Sequence, residues 1–308
     1  MLLSTLVIPF PKGLKQYKMD LYLTALLQGL CLSVMALGIF LTLKIFNIPD
    51  ITTDGSYTLG AAMGALMLTS DMPLVFSFLL VLTSGAVAGM CTGLIHTKLK
   101  IDPLLSGILV MTGLYSINLT IMGRSNIPLI GVETLFNQFE LIDNLNFNTL
   151  IVLSVIILLF ILIITYVLKS DYGITMRATG QSENMVKALG ANTDSVKIMG
   201  LAFANALTAC SGFLMAQFQG FSDINMGIGI VIVGLGSVII AGTIIHWFEI
   251  QSIVISLLLV CFGAIIFQFA LAFTLSMGVD PTLLKLTTAL FVLAIVSLPH
   301  LQLRRRLS

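Results

Sequence analysis

IFNIPDITTDGSYTLGAAMGAL, residues Ile45 to Leu66, is the stretch on which the reading of this chain turns. It follows the charge-free run Leu21 to Leu43. It nevertheless holds Thr52, Thr53 and Ser56, the acids Asp50 and Asp54, and the backbone breakers Pro49 and Gly55. Such a cluster is either a plain connecting loop or a helix broken inside a membrane. Pro49 has no backbone donor and stops the helix before it, and Asp50, Thr52 or Asp54 can cap the next one. The spacing predicts the start of a broken helix at the cytoplasmic end of the first span. Asp50, Thr52, Asp54 and Ser56 then either cap that helix or line a pathway.

The surrounding composition sets the class. The chain of 308 residues is 57% hydrophobic and 9% charged, with a mean hydropathy of +1.07. Soluble domains carry roughly 25% charged residues. A bilayer core of about 30 Å takes about 20 apolar residues per helix. Charge-free windows approach or exceed that length at Leu21 to Leu43, Met72 to Ile95, Leu104 to Gly123, Thr149 to Leu168, Ile198 to Ser222 and Ile250 to Val279, the last broken only by its edges. A shorter window lies between Lys285 and His300, and Thr58 to Ser70 and Asn225 to Ile245 are shorter segments richer in Gly and Ala. The expectation is an all-α polytopic membrane protein with about nine spans, eight to ten at the limits. Long continuous runs exclude the alternating ten-residue strands of a membrane barrel. The first twenty residues, with Pro9 and Pro11 breaking a short apolar run, read as an interfacial segment and not as a signal peptide.

Lys and Arg orient the spans. Lys98 and Lys100, then Lys169, Arg177, Lys187 and Lys197, then Arg304 to Arg306 fall on one face, which is read as cytoplasmic. The opposite loops carry Arg124 with Glu133, Glu140 and Asp143. Lys12, Lys15 and Lys18 stand against this count, which leaves the N-terminus outside. Either the bias is overridden there or one more helix exists.

The one sizeable polar segment, residues 169 to 197, lies mid-chain on the basic face. Ser182 is placed to cap a short helix from Glu183 to Leu189, Glu183 and Lys187 form an i,i+4 pair of favourable polarity, and Gly190 ends it. Asn192 to Asp194 start the next helix. The segment is either a solvated connector or a knob that docks a soluble partner.

Two motifs in order carry a resemblance. Arg177, Ala178, Gly180, Gln181, Ser182 and Glu183 match "RA-x-G-Q-(N/S)-E", and Pro49, Asp50, Ile51, Thr52, Asp54, Gly55 and Ser56 match "PD-(L/I)-T-x-DGS". Over about residues 20 to 300 the chain resembles the permease subunits of ATP-binding-cassette (ABC) importers, in the superfamily of the branched-chain amino acid and ribose permeases. Within it, the chain is nearest the branch of uncharacterised and tryptophan/tyrosine-type permeases. The resemblance implies a multi-pass subunit of the bacterial inner membrane, working as a homodimer in lipid. A separate ABC ATPase and an extracytoplasmic substrate-binding protein complete the system, and the cargo is a small solute such as an amino acid. It implies that Arg177, Gly180, Gln181, Glu183, Lys187 and Gly190 form the ATPase coupling site.

Ile48 to Gly55 has a weak echo in Phe221 to Gly227, placing Asp223 and Asn225 beside Asp50 and Thr52 as a second broken-helix site. Chance similarity is the competing explanation. Two such units of opposite orientation would make an inverted repeat. The family resemblance implies a first four-helix unit at 21–122, a middle helix at 149–168, the coupling loop at 169–197, a second unit at 198–299 and a basic cytoplasmic tail at 300–308. Gly55, Gly60 and Gly64, and Gly227, Gly229, Gly234 and Gly236, allow close helix approach.

Nothing in the sequence marks catalysis. His96, His246 and His300 are scattered without metal-ligand spacing, the four Cys read as packing residues, and no GxxxxGK[ST] loop is present. No metal, cofactor or nucleic-acid partner is expected. The acids Asp50, Asp54, Asp223 and Glu249 are read as lying at segment edges, with only uncharged Asn118, Asn205, Gln217 and Gln268 in mid-span. That pattern disfavours the alternative of a standalone secondary transporter or channel, because ion-coupled carriers place ionisable groups inside their spans.

Overall fold

The computed structural model describes residues 12–139 and 144–306, most of them helical. The first helix, α1 (Lys12–Phe40), ends in one π turn (Leu41–Ile45), and a short non-helical segment leads to α2 (Thr52–Thr69). Then come α3 (Leu74–Lys98), α4 (Pro103–Met122), the short strand β1 (Asn126–Pro128), α5 (Leu135–Gln138) and α6 (Leu145–Lys169). The polar segment forms α7 (Asp171–Gln181) and α8 (Glu183–Ala188). After it follow α9 (Thr193–Gln219), β2 (Phe221–Asp223), α10 (Ile230–Trp247), α11 (Ile253–Ser276) and α12 (Leu284–Arg306).

Local chemistry explains the boundaries. Asp102 caps α4 through the Leu104 amide at 2.9 Å with Pro103 at the first helical position, and Gly123 ends it at φ 63°. Asn192 caps α9 through the Ser195 amide at 3.1 Å. The apolar window Thr149 to Leu168 lies within α6, whose start is set by the Asn144 cap.

Among the described residues seven helices are long and apolar enough to cross a bilayer: α1 from Met19, α3, α4, α6, α9, α10 and α11. The difference from about nine falls at α2 and α12. The 18 residues of α2 begin with the polar run Thr52–Ser56, and the apolar part of α12 is only Leu284–Ile295. The polar start of α2 is tolerated because it is buried in protein, out of reach of lipid. Lys12–Asp20, expected to belong to a separate interfacial segment, instead continue into α1; residues 1–11 lie outside the described residues. Likewise the expected tail continues α12 as helix to Arg306, and residues 307–308, with Glu140 and Asp143, lie outside the described residues.

Two helices form the axis. The membrane window of α1 is 78% buried and that of α9 is 83%, against 22–33% for the other five. Alanine, serine and glycine along α9 permit this, because in lipid close packing holds helices together where no water drives them. Backbone meets backbone: a Cβ on Gly60 of α2 would overlap the Ala209 carbonyl of α9, and one on Gly38 of α1 would lie 2.6 Å from the Ala204 oxygen. The axial pair exchanges partners, with α9 lying against α3 and α2 while α1 lies against α11 and α10.

The two ends of the bundle differ. At one, β1 and β2 pair antiparallel with Asn126 opposite Asp223, so α4 and α9 finish together. At the other, Lys98 Nζ lies 3.3 Å from Asp194 Oδ2 and ties the end of α3 to the start of α9. The α7–α8 knob sits at this second end, between the end of α6 and the start of α9.

Candidate functional site: a buried polar centre and a polar knob

Asp50 and Asp54 stand at the start of α2, the segment edge that the sequence suggested, yet both are only 7% exposed. Asp50 Oδ2 accepts from Asn205 Nδ2 at 2.7 Å, and Asn205 stands twelve residues into α9, about 18 Å from its start. The start of α2 lies inside the bundle, which the sequence did not indicate. Asp50 Oδ1 accepts from the Thr52 amide at 2.9 Å and so caps α2, as expected. Thr52 Oγ1 lies 2.7 Å from Thr92 Oγ1 on α3. Asn205 Oδ1 accepts the Ser56 hydroxyl at 2.7 Å, and Nδ2 also donates to the Leu201 carbonyl at 3.0 Å. Asn205 is the hub of this centre, and only its rarity as a mid-span amide pointed to it in the sequence.

Asp54 does something different from capping its own helix. Its Oδ2 accepts from the Gly229 amide at 2.8 Å and its Oδ1 from the Val231 amide at 2.9 Å. These are the orphan donors at the N-terminus of α10, where aligned peptide dipoles favour a negative group. Gly227 also packs on the Asp54 carbonyl, at a distance where a Cβ would overlap it. One carboxylate on α2 therefore fastens a helix about 175 residues further along the chain.

Asp223 and Asn225 do not join this centre. Asp223 pairs in β2 opposite Asn126 and its Oδ1 accepts from the Asn225 amide at 2.8 Å, at the ribbon end. The part of the second copy that reaches the first is Gly227–Val231, which carries no side-chain polarity to betray it.

In the knob, α8 has the expected Ser182 cap, whose Oγ accepts from the Met185 amide at 3.4 Å, and Gly190 follows in the left-handed conformation at φ 84°. The sequence reading missed α7, which Ser170 starts by accepting from the Gly173 amide at 3.4 Å. Polar composition with two glycines hid it. Glu183 is a clasp: Oε1 lies 2.8 Å from Lys187 Nζ, Oε2 lies 2.6 Å from Lys197 Nζ on α9, and Thr193 Oγ1 donates to Oε1 at 3.4 Å. Hydrogen bonds from the two lysines hold its carboxyl down at about 2. Arg177 points back into the protein, its Nη2 donating to the Leu168 carbonyl at 3.2 Å. Gly180 faces α1, and Gln181 is exposed at the end of α7. Met185 and Leu189 of the α8 end project from the surface at 53% and 77% exposure, and Ile174 of α7 is exposed as well. Among the described residues no group of three His, Cys, Asp or Glu is placed to hold a metal ion.

A bundle of membrane-length helices around a satisfied polar centre, with a structured polar knob at one end, is the build of a multi-pass membrane permease. The model of the branched-chain amino acid transport system / permease component family matches residues 21–297, and the chain belongs to that family. It is a permease component of ABC transport and a multi-pass protein of the inner membrane. It is 41% identical over 281 residues to the tyrosine transport system permease protein of Clostridioides difficile (strain R20291), covering 91% of this chain and 92% of that one. An uncharacterized protein of Rickettsia prowazekii (strain Madrid E) is 36% identical, over 87% of this chain and 94% of its own. The autoinducer 2 import system permease protein LsrC of Photorhabdus laumondii is 24% identical, over 68% of this chain and 62% of its own. A solved ABC transporter chain in an inward-facing conformation aligns with a TM-score of 0.47 at 15% identity, covering 95% of this chain and 90% of that chain.

Proposed function

We propose that this chain is the transmembrane subunit of an ABC importer for an amino acid, with an aromatic amino acid such as tyrosine as cargo. The likeness to the Clostridioides permease over nearly the whole of both chains supports the cargo. A separate ATPase and an extracytoplasmic binding protein are the partners expected of this family, and two copies of the chain form the route between them. The observation that carries the reading is the knob. Its α7 and α8 are locked to the bundle by Glu183 and Arg177 while Met185 and Leu189 are left outside as apolar anchors for a groove on the ATPase. Gln181, Glu183, Lys187 and Gly190 frame that anchor, which makes the knob end the cytoplasmic one. The exchange of partners by α1 and α9 supports two inverted units, residues 21–122 and 198–299, around the middle helix.

Proteoliposomes holding this chain, its ATPase and its binding protein should take up tyrosine only with ATP inside. Reversing both charges, Glu183→Lys with Lys187→Glu, or truncating Met185 and Leu189 to Ala, should strip the ATPase from the purified complex. A complex that survives both changes would rule out the knob as the docking site. The interior position of Asp50 and Asp54 favours one second reading, a gradient-driven carrier. Uptake by this chain alone under a proton or sodium gradient would establish it.

A further inference from the structure

The knob touches α1 at a point that no capping or docking role explains. A Cβ on Gly180 would overlap the Ile45 carbonyl oxygen and lie 3.0 Å from the Phe46 Cα, so α7 rests backbone to backbone on the last residue of the π turn. Met176, one turn earlier on α7 and fully buried, packs in one cluster with Phe46, Ile48, Val196 and Leu201. The Phe46 ring fills the space over Gly200 of α9, where a Cβ would overlap it. Two residues beyond Ile48 stands Asp50, which caps α2 and binds Asn205.

The π turn makes this a soft joint. Phe46 bonds back to the Leu41 carbonyl at 3.1 Å and Ile48 to the Thr42 carbonyl at 2.9 Å, so the helix widens where it meets α7. Asn47 then takes a positive φ of 56°, and the chain stays outside any helix until α2 begins at Thr52. Gly173, in the first turn of α7, lies against Val167 and Leu168 in the last turn of α6, and Arg177, further along α7, donates to the Leu168 carbonyl, so α7 is also held on α6.

We propose that residues 41–51 are the transmission joint of the transporter. Movement of the knob on ATP binding turns α7 about its hold on α6, and Gly180 and Met176 press that movement on Ile45 to Ile48. The displaced segment then shifts the α2 N-terminus against Asn205. Gly180, Met176 and Phe46 are positioning residues of this joint. The inference rests on the knob being the ATPase docking site. It differs from that reading in routing the signal through α1 and α2, and not through α9, the helix that continues directly from the knob.

The test uses the full complex of permease, ATPase and binding protein in proteoliposomes. Gly180→Ala should lower the amount of tyrosine imported per ATP hydrolysed about tenfold, the scale of a typical coupling free energy. Met176→Ala, which removes a contact where the first change adds one, should lower the same ratio and guards against misfolding of the first. In a Cys91→Ser background, maleimide labelling of Lys44→Cys in the π turn should change rate between nucleotide-free and ATP-trapped states. Gly180→Ala should abolish that change. An unaltered import-to-hydrolysis ratio in both variants, or a labelling rate at position 44 that ignores nucleotide in a transporting complex, would overturn the joint. Failure of the unaltered chain to bind the ATPase would instead sink the docking reading.

Discussion

The buried centre around Asn205 and the knob around Glu183 are both polar islands in an apolar chain, and they are stabilised by opposite means. In the centre, carboxylates are met by a side-chain amide and backbone N–H groups, and among the described residues no ion pair reaches Asp50 or Asp54. In the knob, one carboxylate meets two lysines at a surface where its own side chain is 33% exposed. Where water is absent, each polar atom must have a partner, since an orphan bears its full desolvation cost. Where water is present, charge pairing adds little because the unpaired groups would be solvated. The contrast teaches that the two islands tolerate change very differently.

Several substitutions can break that contrast, and Asn205→Leu should do so most. It deprives Asp50 of one donor and the Ser56 hydroxyl of its acceptor at once, a loss of about 3 kcal/mol or more. Thermal unfolding in detergent should show it as the largest drop in midpoint, and a shift no larger than that of a knob variant would refute the role of Asn205 as hub. Asp54→Ala comes next, at about 1–3 kcal/mol, because two N–H groups of α10 lose their acceptor. Asp54→Asn keeps one acceptor oxygen and should fall between Asp54→Ala and the parent. Hydrogen exchange at Gly229 and Val231 should rise with Asp54→Ala, and unchanged protection there would remove the clamp.

The knob should give smaller numbers and a distinct pH dependence. Because the Glu183 carboxyl is held at about 2 when folded, its contribution is complete above the ordinary carboxylate range near 4.5 and is lost as pH falls towards about 2. The difference in unfolding midpoint between the parent and Glu183→Gln should therefore be constant from pH 7 to 5 and shrink below that. A difference that grew on acidification would contradict the clasp. Smallest of all is the split between the two lysines. Lys197, with a side chain 12% exposed, should matter more to stability than Lys187, which is 52% exposed. Equal effects of Lys197→Met and Lys187→Met would show that burial does not sharpen this pair.

Much of the fold was legible beforehand, and the legible parts share a cause. Asn192, Ser182, Gly190 and the Glu183–Lys187 pair act within a few residues of one another, so local rules find them. The helix α7 was missed because its Gly173 and Gly180 lower helix propensity, and they are small for a tertiary reason, close approach to α6 and to α1. Asp50 stands at the start of α2 as the sequence suggested, and its burial there was not legible. That burial depends on Phe46 seating over Gly200, a contact about 154 residues away in the chain.

The sequence by itself determined that this is a helical membrane protein of the ABC permease kind, because hydropathy, spacing and motif are properties of short windows. Only the tertiary structure decided that Asp54 fastens the start of α10, that Asn205 joins Asp50 to Ser56, and that Asp223 stands apart from both. Those choices belong to backbone donors and helix crossings brought together from distant parts of the chain. A backbone N–H at Gly229 or Val231 looks like any other in the sequence, and it becomes a partner only when the bundle places a carboxylate against it.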